Sequence, residues 1–189
     1  ASIPVVNALS DAEHPCQALA DVQTIVEQLG SVSGAKVAFI GDGNNVAVSF
    51  AYAVAGLGGH LTVASPDGYK LPQESLGGAN TYGASAGGSV SQVTSPQEGV
   101  AGADIVYTDV WTSMGQEAET AKRLIAFDGY QVNPALLGQA APNVKFMHDL
   151  PAHPGEEISD GLLYDPRSVA FDQAENRLWA QAALMEKLI

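Results

Sequence analysis

The sequence predicts an α/β domain, a doubly wound Rossmann-like parallel sheet flanked by helices. Short apolar runs of strand length alternate with helical patterns along the chain. The runs 36–40 and 60–65 enclose a helical segment at 46–57, which together form the βαβ unit of a parallel sheet. Polar clusters follow three of the apolar runs, as in folds that bind ligands at the carboxyl ends of their strands.

The first half of the chain supplies one helix and that βαβ unit. Residues 14–29 carry apolar side chains at helical spacing, and Gly30 is a suitable residue to end the helix. Residues 36–40 form a continuous apolar run, and the sequence GDGNN separates it from the helix at 46–57. Residues 60–65 complete the unit as its second strand.

The second half continues the alternation. Residues 73–99 are rich in Gly, Ser, Ala and Gln, which is compatible with a poor helix or with a loop. Residues 103–109 and 144–148 are predicted as further buried strands, and residues 168–172 as a possible fifth extended piece. Residues 174–189 form a helix with one broad apolar stripe.

Composition excludes several classes of protein. The 189 residues carry a net charge of −13 with only eight Lys and Arg, which argues against a nucleic-acid surface. No segment approaches the ~20 apolar residues of a membrane helix, and no secretory leader pattern is present. The single cysteine, Cys16, excludes an internal disulfide and a Cys-x-x-Cys metal site. We therefore expect a cytoplasmic protein that binds neither membrane nor nucleic acid.

The GDGNN turn has three interpretations. Gly41 and Gly43 match the first two glycines of a dinucleotide fingerprint, but Val46 stands at the third position and no acidic residue follows the second strand. A turn that directs Asn44 and Asn45 at a small ligand fits better, because an amide offers both a donor and an acceptor to an amino acid. A helix cap without further function is the alternative.

Two more polar clusters are candidates for the same site. Asp109 ends the 103–109 strand and can accept hydrogen bonds from an ammonium group, while Ser113 and the backbone near Met114 can hold a carboxylate at a helix start. A helix cap alone is again the alternative.

At the two helices, His14 and Gln17 share a face at the start of residues 14–29 and can donate to a carbonyl or an oxyanion. Arg177 suits a phosphate or carboxylate, with a surface ion pair as the equally plausible reading.

Taken together, the motifs resemble ornithine carbamoyltransferases over nearly the whole chain. They are HPCQALAD, GDGNNVAVS, YTDVWTSMGQE, FDGYQVN, FMHDLPAHPGEE and FDQAENRLWAQAALM, in this order. The resemblance implies transfer of a carbamoyl group from carbamoyl phosphate to L-ornithine, giving citrulline and phosphate in arginine biosynthesis, without cofactor or metal. By motif, Asn45, Asp109, Ser113 and Met114 match ornithine-binding residues. The residues that match carbamoyl phosphate contacts are His14, Gln17, Asp149, Leu150 and Arg177.

Two departures from the family pattern carry expectations. The family's Ser-Thr-Arg-Thr-Arg phosphate loop does not occur in this sequence. We therefore expect residues 1–189 to be a single ornithine-binding domain without the amino-terminal carbamoyl phosphate domain, and we expect it to be inactive in isolation. Its last helix should then expose apolar side chains, including Leu178, Trp179 and Met185. Relatives are usually trimers, so a homo-oligomer is expected.

The second departure is Asp149, which stands where the family carries a cysteine in His-Cys-Leu-Pro. We expect it to take part in catalysis together with Arg177. An aspartate with an ordinary pKa of about 3.9 would be ionised, would repel carbamoyl phosphate and would raise the pKa of the attacking ornithine amine. Two alternatives therefore stay open: a non-catalytic amino-acid-binding relative, and a carbamoyltransferase with reduced activity or an altered substrate, such as a modified ornithine or putrescine.

Overall fold

The computed structural model describes residues 2–113 and 115–188. Five parallel strands form one sheet in the order β3-β2-β1-β4-β5. The strands are β1 (Lys36–Ile40), β2 (His60–Ala64), β3 (Ser89–Val93), β4 (Ile105–Thr108) and β5 (Lys145–His148). The chain runs outward from β1 to β3 and then restarts on the other side of β1 with β4, so the sheet is doubly wound as predicted. The point where the direction reverses lies between β1 and β4.

Seven helices accompany the sheet within the described residues. They are α1 (Pro15–Leu29), α2 (Asn45–Gly56), α3 (Gln73–Gly83), α4 (Pro96–Val100), α5 (Thr120–Ala126), α6 (Pro134–Leu137) and α7 (Ala170–Leu188). Among the described residues, no helix is both long and apolar enough to cross a bilayer.

The core lies on both faces of the sheet because successive strand residues point in opposite directions. Val37 and Phe39 of β1 pack with α1 and α2, whereas Ala38 and Ile40 pack on the opposite face with the residues around Phe127. All four residues of β4 are buried, which explains why its sequence reads as a continuous apolar run.

Two sequence predictions differ from the structure. Of residues 73–99, predicted as a poor helix or a loop, the first part is the helix α3, but the rest contains the strand β3 and most of the helix α4. Residues 168–172 are not a strand: Ser168 makes a single bridge to Phe146, and α7 already begins at Ala170.

Helix α7 packs along α1 and leaves an apolar stripe in solvent. Leu178, Trp179 and Met185 are 64%, 55% and 55% exposed. The predicted exposure of these side chains is confirmed.

Candidate functional site

The polar turn after β1 is built around an asparagine cap. Asn44 caps α2 by accepting from the backbone N–H groups of Val46 and Ala47 at 3.1 Å each. Its Nδ2 donates to Oδ2 of Asp109 at 2.7 Å. The amide therefore spans the gap between β1 and β4, at the reversal point of the sheet.

The glycine at position 43 is required by packing of the chain on itself. A Cβ added there would lie 2.3 Å from the backbone N of Leu71, and the Gly43 N–H donates to the Tyr69 carbonyl at 2.7 Å. This glycine therefore serves a loop-to-loop contact and gives no support to the dinucleotide reading.

Asp109 lies at the end of β4 with 8% of its surface exposed. Oδ1 accepts from the Val110 N–H at 2.6 Å, and Oδ2 accepts from Asn44. Each carboxylate oxygen can accept further hydrogen bonds, so an ammonium group of a ligand could still be bound.

Two of the other predicted ornithine ligands, Asn45 and Ser113, already make hydrogen bonds within the chain. Nδ2 of Asn45 donates to the Ser10 carbonyl at 2.8 Å, so the amino-terminal segment covers this side chain. The Ser113 N–H donates to Oε1 of Gln116 at 3.2 Å, and no hydrogen bond joins Ser113 to Asp109 among the described residues. Met114 lies outside the described residues.

The predicted carbamoyl phosphate residues of α1 and α7 do meet. An N–H of Arg177 donates to Oε1 of Gln17, while Arg177 Nε is buried without a hydrogen-bond partner among the described groups. His14 lies next to them, with a buried and unpartnered Nδ1. Burial lowers the pKa of His14, the charge of Arg177 lowers it further, and Asp109 opposes the shift. The neutral imidazole is therefore favoured beside Arg177.

The turn after β5 is held by a buried histidine. The Leu150 N–H donates to Nδ1 of His148 at 2.9 Å, which leaves the ring proton on Nε2, 3.1 Å from Oε1 of Glu157. Leu150 has φ +58, an uncommon conformation for a residue other than glycine, and the Leu150–Pro151 peptide is cis.

Glu157 belongs to the only cluster of possible metal ligands that the described residues form. Ligand atoms of His153, Glu156 and Glu157 lie within 4.8 Å of one another. Oε1 of Glu157 already accepts from His148 and from the His153 N–H at 2.6 Å. The carboxylate thus has a structural use in holding the turn after β5.

Asp149 follows His148 and faces two other acids. Its side chain is 10% exposed, and its Oδ1 is buried without a hydrogen-bond partner among the described residues. Burial, followed by the charges of Asp109 and Asp21, raises the pKa of Asp149 well above its usual range. The expectation of an ordinary ionised aspartate is therefore wrong. The sequence could not show that two further carboxyls converge on this position.

Sequence reasoning also missed two groups that shape the site. Asp21 is fully buried and connects Gln17 with Gln173 of α7. The spacing of four residues between Gln17 and Asp21, and between Gln173 and Arg177, was the available signal.

The second missed group is Arg123, which is buried and donates to Oδ2 of Asp42 at 2.5 Å and to the Trp111 carbonyl at 2.9 Å. It joins the GDGNN turn to the segment that follows β4.

An open groove of about 570 Å³ lies elsewhere, between the amino-terminal segment, α1, α2 and the end of α7. None of the predicted site residues that the structure describes lines it. The polar groups at the strand ends therefore form the candidate site, and the groove is a separate, largely apolar feature.

Comparison with known proteins places this geometry in a family. Residues 33–188 match the family model "Aspartate/ornithine carbamoyltransferase, Asp/Orn binding domain", and residues 1–27 match the corresponding "carbamoyl-P binding domain" model. The anabolic ornithine carbamoyltransferase of Pseudomonas aeruginosa is 56% identical over 187 residues, covering 99% of this chain and 59% of that protein. The ornithine carbamoyltransferase of Thermococcus kodakarensis is 51% identical over 185 residues, covering 98% and 59%.

Solved structures agree with these sequence relatives. Ornithine carbamoyltransferase from Pyrococcus furiosus superposes with a TM-score of 0.94 at 49% identity, covering 100% of this chain and 60% of that one. The enzyme from Thermus thermophilus gives 0.86 at 44% identity, covering 100% and 60%. The chain spans about 60% of the length of the relatives it matches. The chain belongs to the aspartate/ornithine carbamoyltransferase family.

Proposed function

We propose that this chain supplies the ornithine-binding half of an ornithine carbamoyltransferase. The observation that carries the proposal is the juxtaposition at the reversal point of the sheet: Asp109, bound to Asn44, lies in the same charged neighbourhood as His14, Arg177 and Asp149. Relatives that are about half identical are named ornithine carbamoyltransferases, which supports ornithine over aspartate as the amino acid.

In the ornithine half, Asp109 would accept hydrogen bonds from the α-ammonium group through the capacity that Asn44 and Val110 leave unused. Asn45, Ser113 and Met114 are proposed as its neighbours on the amino acid. To bind ornithine through Nδ2, Asn45 would release its hydrogen bond to the Ser10 carbonyl and donate to the ligand instead.

In the carbamoyl phosphate half, Arg177 would bind the phosphate, and His14 and Gln17 would polarise the carbamoyl carbonyl. These last two residues lie within the segment that matches the carbamoyl phosphate-binding model, which supports the assignment. The unpartnered Nδ1 of His14 and Nε of Arg177 are polar atoms available to a ligand. The Leu150 carbonyl is proposed to lie near the reacting groups.

The reaction follows from these roles. The δ-ammonium group of ornithine first loses a proton, and the neutral amine then attacks the carbamoyl carbon. A C–N bond forms, the carbonyl oxygen gains negative charge, and the site's donors stabilise that oxyanion. The C–O bond to phosphate then breaks, phosphate leaves with the electron pair, and the second amine proton is lost. Alignment of the two substrates supplies much of the rate.

Asp149 need not oppose this chemistry. Because its pKa is raised by burial and by its acidic neighbours, the neutral carboxylic acid is favoured and can donate one hydrogen bond, as the thiol of a cysteine can. A neutral Asp149 would also repel the phosphate less than an ionised one.

A second candidate is a non-catalytic amino-acid-binding relative, or a carbamoyltransferase of reduced activity or altered substrate. The replacement of cysteine by Asp149 is the observation that favours it. We further propose that residues 1–189 act as one ornithine-binding unit beside a carbamoyl phosphate domain, in a homo-oligomer. Among relatives, trimers are the expected form.

Calorimetry tests the ornithine half on the chain itself. We expect L-ornithine to bind, and Asp109→Asn to weaken binding by about 10- to 100-fold, because a charge-assisted hydrogen bond is lost. Asp67→Asn is the matched control, since it removes the same charge from an exposed side chain. Equal loss of affinity in both variants, or no binding of ornithine with or without carbamoyl phosphate, would contradict the proposal.

A further inference from the structure

Asp21 is a buried carboxyl that no proposed step of the reaction uses. It lies on α1 without solvent exposure, and its Oδ1 accepts from Nε2 of Gln17 and from Nε2 of Gln173, both at 2.7 Å. Two side-chain amides from different helices therefore converge on one carboxylate oxygen. Burying a charged carboxylate costs free energy unless hydrogen bonds or an opposite charge compensate for the lost solvation.

This arrangement fixes both amides in one orientation. An ionised carboxylate only accepts and a guanidinium only donates, so Gln17 must direct its NH₂ group at Asp21 and its carbonyl at Arg177. Gln173 is fixed in the same way, because its Oε1 accepts from the His148 N–H at 2.9 Å. Asp21 is thus connected to Arg177 on one side and to the turn after β5 on the other.

We propose that Asp21 is a positioning residue for the carbamoyl phosphate half of the site. It orients Gln17, and through Gln17 the guanidinium of Arg177, while Gln173 transmits the same constraint to the end of β5. The network then fixes the directions in which the second amide proton of Gln17 and the remaining N–H groups of Arg177 can donate hydrogen bonds to the ligand. This inference rests on the proposed function for the identity of the ligand, but not for the hydrogen-bond network itself.

The groups that face Asp21 make its charge sensitive to pH. They are Arg177 from α7, the Tyr107 hydroxyl from β4, and Asp149 beyond β5. Burial raises the pKa of Asp21 to about 7, although the hydrogen bonds from Gln17 and Gln173 and the charge of Arg177 lower it. Asp21 therefore changes its protonation state near neutral pH, and with it the strength of its hold on both amides.

The network is testable on the chain without any reaction. In NMR spectra, the side-chain NH₂ signals of Gln17 and Gln173 should be dispersed, and they should exchange about 10- to 100-fold faster with water in Asp21→Leu. Asp21→Asn keeps the volume and one acceptor, so it should retain part of the protection even where the leucine variant folds poorly. Thr24→Val is the control: it removes the bond from Asn176 at the same α1–α7 contact and should leave both signals unchanged.

The effect of Asp21 on carbamoyl phosphate binding is measured in a two-domain enzyme that contains this chain. We expect Asp21→Asn to raise KM for carbamoyl phosphate about tenfold and to leave KM for ornithine within about twofold. We also expect KM for carbamoyl phosphate to change with pH near neutrality in the parent enzyme and not in the variant. Thr24→Val should do none of these.

The inference would be overturned if the exchange rates of the Gln17 and Gln173 side-chain NH₂ groups did not change in Asp21→Leu. It would also be overturned if they changed equally in Thr24→Val. Equal effects of Asp21→Asn on both substrates would overturn it as well. A parent enzyme that makes no citrulline would instead count against the proposed function, and the NMR result would then decide on Asp21 alone.

Discussion

Replacing Asp21 by asparagine is expected to change stability in a way that depends on pH. The pKa of Asp21 rises from 3.8 to about 7 on folding, chiefly because the carboxyl is buried. Between these values the unfolded chain releases a proton that the folded chain keeps. The free energy of unfolding therefore falls as pH rises from about 4 towards 7, and the full loss is present above pH 7.

The size of the effect follows from the shift. At about 1.4 kcal/mol per pKa unit, the rise from 3.8 to about 7 corresponds to roughly 4 kcal/mol. Asparagine can accept the hydrogen bonds of Gln17 and Gln173 through its oxygen, and it carries no charge. We expect Asp21→Asn to be more stable than the parent by about 1.5 kcal/mol at pH 5, where part of the loss is already present, and by about 4 kcal/mol at pH 8.5.

Urea unfolding of both proteins at intervals between pH 4.5 and 8.5 measures this difference. Asp149 is present in both proteins, so the difference reports Asp21 and its coupling to that neighbour. Asp165→Asn is the control, because Arg167 lowers the pKa of Asp165 to about 2, and its contribution is lost only as pH falls below 4. A stability difference that stays constant with pH, or that falls as pH rises, would refute the reasoning. The expected outcome is a variant that is more stable above neutrality and binds carbamoyl phosphate less well.

Three other changes test neighbouring parts of the account. Asp149→Cys in a two-domain enzyme should increase citrulline formation, and an unchanged rate would show that the carboxyl replaces the thiol fully. Gly43→Ala should lower the free energy of unfolding by more than about 2 kcal/mol, because the added Cβ would lie 2.3 Å from the backbone N of Leu71. Gly77→Ala in α3 is the control: its Cβ meets open space, and it should raise the free energy of unfolding by about 1 kcal/mol. Arg123→Ala should cost about 3–5 kcal/mol in urea unfolding, because it leaves Asp42 buried without its ion pair, and a cost below about 1 kcal/mol would contradict that role.

The sequence predicted most of the sheet because buried parallel strands read as apolar runs. Strand β3 was missed because it lies at the edge of the sheet, and its residues Ser89–Val93 include only one that is buried. An edge strand with polar residues does not stand out from a loop by pattern alone. The segment after Arg167 was assigned as a strand from its apolar residues, but it mainly leads into α7.

The site was predictable in its location and less so in its chemistry. The order of strand and polar cluster predicted that Asp109 ends a strand and shares a site with the GDGNN turn, and the structure shows its carboxylate accepting a hydrogen bond from Asn44. The charge state of Asp149 depends on Asp109 and Asp21, which are distant in sequence, so no local pattern could reveal it. The hydrogen bond between Asp21 and Gln173 joins residues 152 positions apart, so no local pattern could reveal it either.

The most direct test of the central claim is the choice of amino acid by a two-domain enzyme that contains this chain. Carbamoyl phosphate is offered together with L-ornithine or with L-aspartate, and the carbamoylated products are separated and quantified. We expect citrulline as the main product, and we expect Asp109→Asn to remove most of this activity while Asp67→Asn does not. Preferential formation of carbamoyl-aspartate, or citrulline formation that is unaffected by Asp109→Asn, would contradict the central claim.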